Sequence, residues 1–581
     1  MRLLGRLCGL ETELALYADP ARFGGRQWRR VAYERLVAQI SRSTPCATAA
    51  GCKEGVFLAN GGAVALEGER LAAGAGLIEL ATPECRGPRE LLLYQRAMEQ
   101  LARHAAQQIG LTFIKNDRDA HDSVYGAQEN YEVPVGGPIS LWIWRLGLIA
   151  LVPLVLLCWA CTLLTLLMLL LYFFVTALMV ASVRLLSPRH VQPTMRLLWG
   201  GNVVSEDGAR LILPVWLESL LIRLSSLYSL PVAVALWGLV RVAVFRRTRR
   251  LLTPFLISRP VLVGAGMVDR SGRFLLADKA PAINCLLGFS AFLGARPIFA
   301  IGNFFKAVCI DSFTSWRTFA RLFRPRQRLQ LAIGDANMCE SAEFLKIGST
   351  LLVLDAIEAG YLEDAPQFAR PVQALQTFVG DPTLEAGVID RRGRRWSAIE
   401  IQRYYLSVCH KFVREQADGV SDEVEEVLSV WEDALQALEN ASEDPAGTDL
   451  LVGTLDWPTK RYLVDQVGPG GRWEVKKKID IRYHELSEDG YYETIRDVGL
   501  APRLVDDESL ERAMRWPPSE TPAARRGRAI REFTGGEMTV VVGWHDVVVR
   551  NRKGKRRLSL ETHGAGIPAP HTSLRSRRPR L

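Results

Sequence analysis

A chain of 581 residues, 48% of them hydrophobic and 23% charged, has room for two or three domains and suits a globular protein that also carries long apolar segments. The net charge of +9 is concentrated after Arg550 and at Arg246, Arg247, Arg249 and Arg250, a solvated or lipid-facing pattern that argues against a nucleic-acid partner. The cysteines read as buried thiols of a reducing compartment, and the apolar run in the opening MRLLGRLCGLETEL is too short for a signal peptide.

Taken along the chain, GLETEL (Gly9–Leu14) reads as a strand. Side chains of a strand alternate, so Glu11 and Glu13 share one face. LIELATPECRG predicts a second strand carrying Glu79, closed by a Pro turn. PRELLLYQRAMEQLARHAAQQIG then has apolar residues at helical spacing, with Gly110 as its C-cap. LTFIKND reads as a further strand. Strands that present inward carboxylates suit a metal–nucleotide site, because Mg²⁺ takes hard oxygen ligands.

The polar stretch SVYGAQENYEV runs straight into an apolar block. The 38 residues between Arg145 and Arg184 carry no charge. As a helix they reach about 57 Å, whereas a bilayer core needs about 20 residues. The middle, TLLTLLMLLLYFF, has no Gly, Pro or Asn to turn on, so one long helix is expected. A second span is predicted over Leu230–Phe245, ending in the basic cluster, which fits a cytoplasmic flank. Between the two, LILPVWLESLLIRLSSLY is amphipathic and predicts a separate interfacial helix.

Further on, AIGDANMCESAEFLKIGSTLLVLDAIEAG (Ala332–Gly360) predicts a short strand, a Gly-Asp-Ala-Asn turn and a helix. VSDEVEEVLSVWEDALQALENASED has Val424, Val427, Leu428, Trp431, Leu435 and Leu438 on one stripe, an amphipathic helix with Ser421 as N-cap. The basic residues 556–581 read as a disordered tail.

Nine segments, in order, carry a resemblance. They are GLETEL at Gly9, ELATPECRG at Glu79, IKND…YGAQENYEV at Ile114, VLVGAGMV at Val261, ARPIF at Ala295, IGDANMCES…LKIGST at Ile333, LDWPTKR at Leu455, IDIRYHEL…GYYETI at Ile479 and MRWPPSETPAARRGRAI at Met514. Together they resemble the Pup ligase and depupylase family (PafA and Dop). The resemblance implies an α+β fold, a glutamine-synthetase-like antiparallel cradle with helices, interrupted here by a transmembrane helical insertion. The parts are 1–133 and 251–470 for the cradle, 134–250 for the insertion, 471–555 for a C-terminal domain and 556–581 for the tail. In the family the next strand follows after a short connection, where this chain has its insertion. Both halves of one sheet must lie on one side of a membrane, so the spans should be even in number.

The resemblance also implies chemistry. ATP and Mg²⁺ would sit over the concave sheet, with Glu11 and Glu79 as metal ligands, and with Thr82 and Trp544 on the nucleotide. Glu129 and Asn130 occupy a motif like the family's HENY, with Gln128 in place of the His. The family's NGxRLYxD strand supplies a nucleotide Arg, a Tyr near the metal and a catalytic Asp. Aligned from Asn60, these fall on Ala63, Ala65 and Glu67; aligned from Arg70, the Arg is kept and the others become Ala72 and Gly74. Glu67 is the candidate catalytic carboxylate and Arg70 a candidate nucleotide contact. After RPI the family's acidic, His-containing segment is replaced by FAIGNFFKAVCIDSF. The implied partners are a Pup-like modifier, its conjugates and membrane lipid, with the catalytic part on the cytoplasmic face of the cytoplasmic membrane. GDANM, YGA and TLDW lean toward a depupylase or deamidase and TPEC toward a Pup–protein ligase. An inactive descendant that binds nucleotide or a partner is the other alternative.

Overall fold

Alternation builds the sheet. In β1 (Leu7–Tyr17) Cys8, Leu10, Thr12 and Leu14 are buried, while Glu11 and Glu13 point to the opposite face. The structure, a computed structural model, describes residues 2–23, 28–51, 54–67, 76–118, 124–199, 202–205, 208–211, 214–289, 294–415, 420–443, 449–468, 470–552 and 554–560. Beside β1 stand β2 (Cys46–Ala49), β3 (Gly55–Leu58), β4 (Ala63–Glu67), β5 (Leu77–Ala81), β6 (Cys85–Arg86), β7 (Thr112–Ile114) and β8 (Gln128–Pro134). One 14-stranded sheet runs in the order Cys285–Gly288, Pro297–Ala300, Arg326–Leu331, β8, β1, β5, β4, β3, β2, Thr539–Val542, Asp546–Asn551, Gly554–Ser559, with β6 and β7 also on β1. The expected antiparallel cradle is in fact mixed. Cys285–Gly288 pairs parallel with Pro297–Ala300, and Thr539–Val542 pairs parallel with β2. Both strands arrive by crossover rather than by hairpin.

The apolar face of the sheet is backed by helices. α1 (Trp28–Ser43) and α2 (Pro88–Ile109) cover it near β1, and α2 ends at Gly110 in the left-handed region, as its sequence predicts. The Glu340–Ala359 helix is buried almost all round. The Asp422–Glu443 helix packs on it with Val424, Val427, Trp431, Leu435 and Leu438 fully covered, so that stripe faces its own domain. At the far edge, β-pairing continues to Ser559. The tail therefore begins later than 556: backbone pairing to Asp546–Asn551 holds Arg556 and Arg557 in a strand despite their charge. Residues 561–581 lie outside the described ones.

The insertion leaves from the end of β8. α3 (Pro138–Leu186) is one helix of 49 residues, as its uninterrupted apolar middle predicts. After α4 (Val191–Trp199), the chain returns through α5 (Val215–Ala243). Here the structure corrects the sequence reading. The interfacial helix and the second span are one continuous helix, with Pro231 inside it. A Pro within a helix removes one hydrogen bond and kinks it, but need not end it. Both helices are long and apolar enough to cross a membrane, and only 11% and 17% of their most apolar stretches are buried. The Phe245 amide donates to Val135 O at 2.7 Å and the Val135 amide to Pro325 O at 2.8 Å, so the chain enters and leaves at one point.

The insertion is also shorter than expected. The chain returns not as a strand but as α6 (Arg246–Ser258), a buried helix. Its Arg249 donates to Val240 O at 3.0 Å and Arg241 O at 2.9 Å, capping the end of α5. Burial, then the nearby Arg241 and Arg246, push the Arg249 guanidinium down to about 10. Residues 246–250 thus belong to the cradle.

Residues 302–323 brace α3. They comprise a helical turn Gly302–Phe305, a π-helical stretch Lys306–Asp311, and the turns Ser312–Thr314 and Trp316–Arg321. Trp144 Nε1 donates to Leu322 O at 2.7 Å and Trp159 Nε1 to Cys309 O at 2.8 Å. Cys158 and Cys161 form a Cys-x-x-Cys spacing within α3, and the thiol of Cys158 faces Cys309. Arg321 reaches Asp546 at 3.5 Å, joining the brace to the C-terminal arm of the sheet.

Candidate active site

Register decides which side chains meet on the open face of the sheet. Glu13 stands opposite Glu79 and Glu11 opposite Ala81 across β1 and β5; Ala65 stands opposite Glu79 across β4 and β5. The Asn60 alignment therefore fits: Ala63, Ala65 and Glu67 line the open face. Asn60 Oδ1 accepts the Gly62 amide at 3.0 Å, and Gly61 has φ +89°, so the tight turn into β4 needs these residues. Arg70 lies outside the described residues. On the other side, Gln128, Asn130, Arg328 and Gln330 come to the same face.

Three carboxylates converge. Oxygens of Glu13, Glu67 and Glu79, all half-buried, lie within 4.8 Å of one another. Of the residues named from the sequence, Glu79 and Glu67 join this cluster. Glu11 does not. Its carboxylate is 2.7 Å from Arg328 Nη2 and 3.4 Å from Gln330 Nε2, one strand pair away. Glu13, the other carboxylate of GLETEL, is the member of the cluster that β1 supplies. Gly126 N and Gln128 Nε2 donate to Glu13 at 3.1 and 3.3 Å. Gly126 is required at this point: a Cβ there would fall 1.6 Å from Asp117 Oδ1.

The remaining predicted residues fall elsewhere. Thr82 is buried, and its hydroxyl accepts the Leu10 amide at 3.0 Å, so it anchors the β1–β5 pair. Glu129 points away from the open face, into the core, where Arg259 clamps it with both guanidinium nitrogens and Tyr131 donates to it at 2.8 Å. Burial would raise its pKa, but the pairing with Arg259 holds it below the ordinary carboxylate value. Asn130 is on the open face and accepts from Arg328 Nε at 2.7 Å. Trp544 is half-buried, edge-on to Phe57 at 4.9 Å, with the Arg526 guanidinium 4.8 Å from its ring. Arg526 is itself buried and pairs with Glu84.

The other motifs form a buried frame behind this face. Asp117 accepts the amides of Ala127 and Ala336, and Lys279 Nζ donates to Ala127 O. Asp335 accepts those of Ala265, Asp278 and Lys279, and Asp456 those of Met338 and Cys339. These acids hold loops in place.

The mixed sheet forms a half-barrel with one apolar, helix-covered face and one carboxylate-lined open face, a cradle of the α+β class. Within that class, the family described as Pup-ligase protein matches residues 6–548, and the chain belongs to it. It is 32% identical over 310 residues to a depupylase of Acidothermus cellulolyticus, which covers 52% of this chain and 57% of that protein. It is 31% identical over 312 residues to a Pup–protein ligase of Acidimicrobium ferrooxidans, covering 52% and 64%. The chain thus matches less than two thirds of the length of these curated relatives. The fold is similar to that of the ligase PafA solved in complex with the prokaryotic ubiquitin-like protein Pup (TM-score 0.65, 19% identity, 97% of this chain and 91% of that one). It is also similar to PafA solved with ADP (TM-score 0.59, 19% identity, 89% and 88%).

Proposed function

We propose that the chain is a membrane-tethered enzyme of this family. It acts with ATP and Mg²⁺ on the C-terminal Glu or Gln of a Pup-like modifier, or on the isopeptide bond joining that modifier to lysine, in the depupylase or deamidase direction. The convergence of Glu13, Glu67 and Glu79 carries the reading. Three carboxylates this close offer several oxygens to one ion, and those oxygens are the hard donors that Mg²⁺ takes. Such an ion, when bound, neutralises phosphate charge and orients the transferring group. Glu13 and Glu79, facing each other across one strand pair, would hold it. Glu67, from the next strand, would accept the proton of the attacking water. Trp544, backed by the buried Arg526 that pairs with Glu84 and holds Gly61 O, supplies an aromatic wall beside the turn at Asn60. The ADP-bound relative supports a nucleotide, and the Pup complex supports the modifier. The GDANM, YGA and TLDW spellings support the hydrolytic direction. The apolar, largely uncovered α3 and α5 support the tether, and Arg241, Arg246, Arg247 and Arg250 at its root support a cytoplasmic cradle.

The test uses the full chain in detergent. ATP at about a hundred times its dissociation constant should add roughly 2.7 kcal/mol of stability, and only with Mg²⁺ present. Glu13→Gln or Glu79→Gln should abolish most of that gain, while Glu11→Gln should keep it. Glu67→Gln should keep the gain and lose ammonia release from a Gln-ended Pup-like protein. Conjugation of a Glu-ended one to lysine would instead make the chain a ligase. Unchanged Mg²⁺-dependent stabilisation in Glu13→Gln and Glu79→Gln would falsify the site.

A further inference from the structure

We infer that the brace, residues 302–323, is a second lipid-contacting element, and that its outward ridge of Ile310, Phe313 and Trp316 rests in an anionic bilayer surface beside α3. The inference builds on the membrane tether proposed above and names a surface that the tether does not include.

The segment has two sides. Phe304, Val308, Cys309, Phe319 and Leu322 are buried against α3 and the sheet. Ile310, Phe313 and Trp316 are 44%, 43% and 56% exposed, three large apolar side chains within seven positions. Scattered exposed apolar residues are ordinary on soluble proteins, but a contiguous patch marks an interaction surface. This patch is contiguous with a larger one. The Trp159 ring of α3 stands edge-on to Phe313 at 5.6 Å and to Trp316 at 5.5 Å. Around Trp159, α3 turns Leu156, Leu157 and Leu163 outward, each about half exposed. The apolar surface thus passes from the helix onto the brace without a polar break at the Trp159 contact. Whatever covers α3 at this level meets the brace too.

Charge and residue type identify the occupant. Residues 302–324 contain Lys306, Arg317 and Arg324, besides Arg321 paired with Asp546, against the single acid Asp311. Cations next to an apolar ridge suit anionic headgroups, and tryptophan is enriched where headgroup meets acyl chain.

Photocrosslinking in the full chain tests this. A benzophenone amino acid is placed singly at position 313, 316, 170 on α3, or 389, an exposed isoleucine far along the chain. The protein is reconstituted in phosphatidylcholine vesicles with and without one third phosphatidylglycerol. Lipid adducts are expected at 170, 313 and 316 and not at 389, with at least about twofold more at 313 and 316 when phosphatidylglycerol is present. Adducts at 170 alone overturn the inference and leave the tether standing. No adduct at 170 overturns the tether itself. Equal yields in the two vesicles overturn the anionic assignment. Protein adducts at 313 and 316 in place of lipid show that another chain covers the ridge and overturn it as well.

Discussion

Asp278 shows how much a single buried side chain can report. Its Oδ2 accepts the Asp117 amide at 2.9 Å, whereas Oδ1 has no hydrogen-bond partner among the described residues. Burial pushes its carboxyl up to about 7, against the pull of Lys460 and with the repulsion of Asp480. An unfolded aspartate titrates near 3.9. The folded state therefore holds this proton more tightly. The stability it lends is complete below about pH 4 and lost as pH rises toward 7. Asp278→Asn keeps an acceptor for the Asp117 amide and removes the titration. Relative to wild type, its melting temperature should rise steadily from pH 4 to pH 7; a constant difference would show that Asp278 is ionised throughout. Sites of this kind were only partly legible in the sequence. The period of two put Glu11 and Glu13 on one face but could not choose between them, because the choice is made by Arg328 on a strand more than three hundred residues away. Arg328 and Gln330 were themselves readable from the alternation of RQRLQL (Arg326–Leu331). Arg526 carried no local signal, since its partners Glu84, Gly61 and Trp544 come from three other segments.

At the scale of elements, the α3–α5 hairpin includes one close approach. A Cβ on Gly147 of α3 would lie 2.3 Å from Leu239 Cδ1 of α5, whereas one on Gly238 would meet nothing within 4 Å. Gly147→Leu should splay the helices and cost about 1–3 kcal/mol, the usual penalty of overpacking. Gly238→Leu should be close to neutral. Thermal unfolding of both full-length variants in detergent compares them, and equal behaviour would mean that α3 and α5 do not pack at Gly147. The length of α3 was legible because its middle, TLLTLLMLLLYFF, has no Gly, Pro or Asn to turn on. The continuity of α5 was not, because its amphipathic first part and its apolar second part read as helices of different kinds, while the tertiary contact with α3 carries the helix through. The mixed character of the sheet was hidden for a different reason: parallel pairs are set by crossovers, which leave no local pattern.

For the whole molecule, the pinned neck makes the α3–α5 hairpin separable in chain path but not in packing. Replacing residues 138–243 by a short Gly/Ser linker should let the cradle fold, because Val135 and Phe245 already touch. Cutting at Leu251 would instead remove the first turn of α6 and Arg249. The shortened protein should still need detergent, since Phe304, Val308 and Cys309 lose the helix that covers them. Size-exclusion chromatography decides: a monomer without detergent would show that the brace is self-sufficient. The same neck has a mechanical meaning on the tethered reading. Two chain crossings locked to the rim of the sheet form a rigid mount, unlike a flexible leash. The mouth of the cradle then keeps one height and one heading above the lipid, and its targets are sorted by altitude. A modifier or lysine carried at that height meets the site at high effective concentration, whereas one held closer or farther meets it hardly at all.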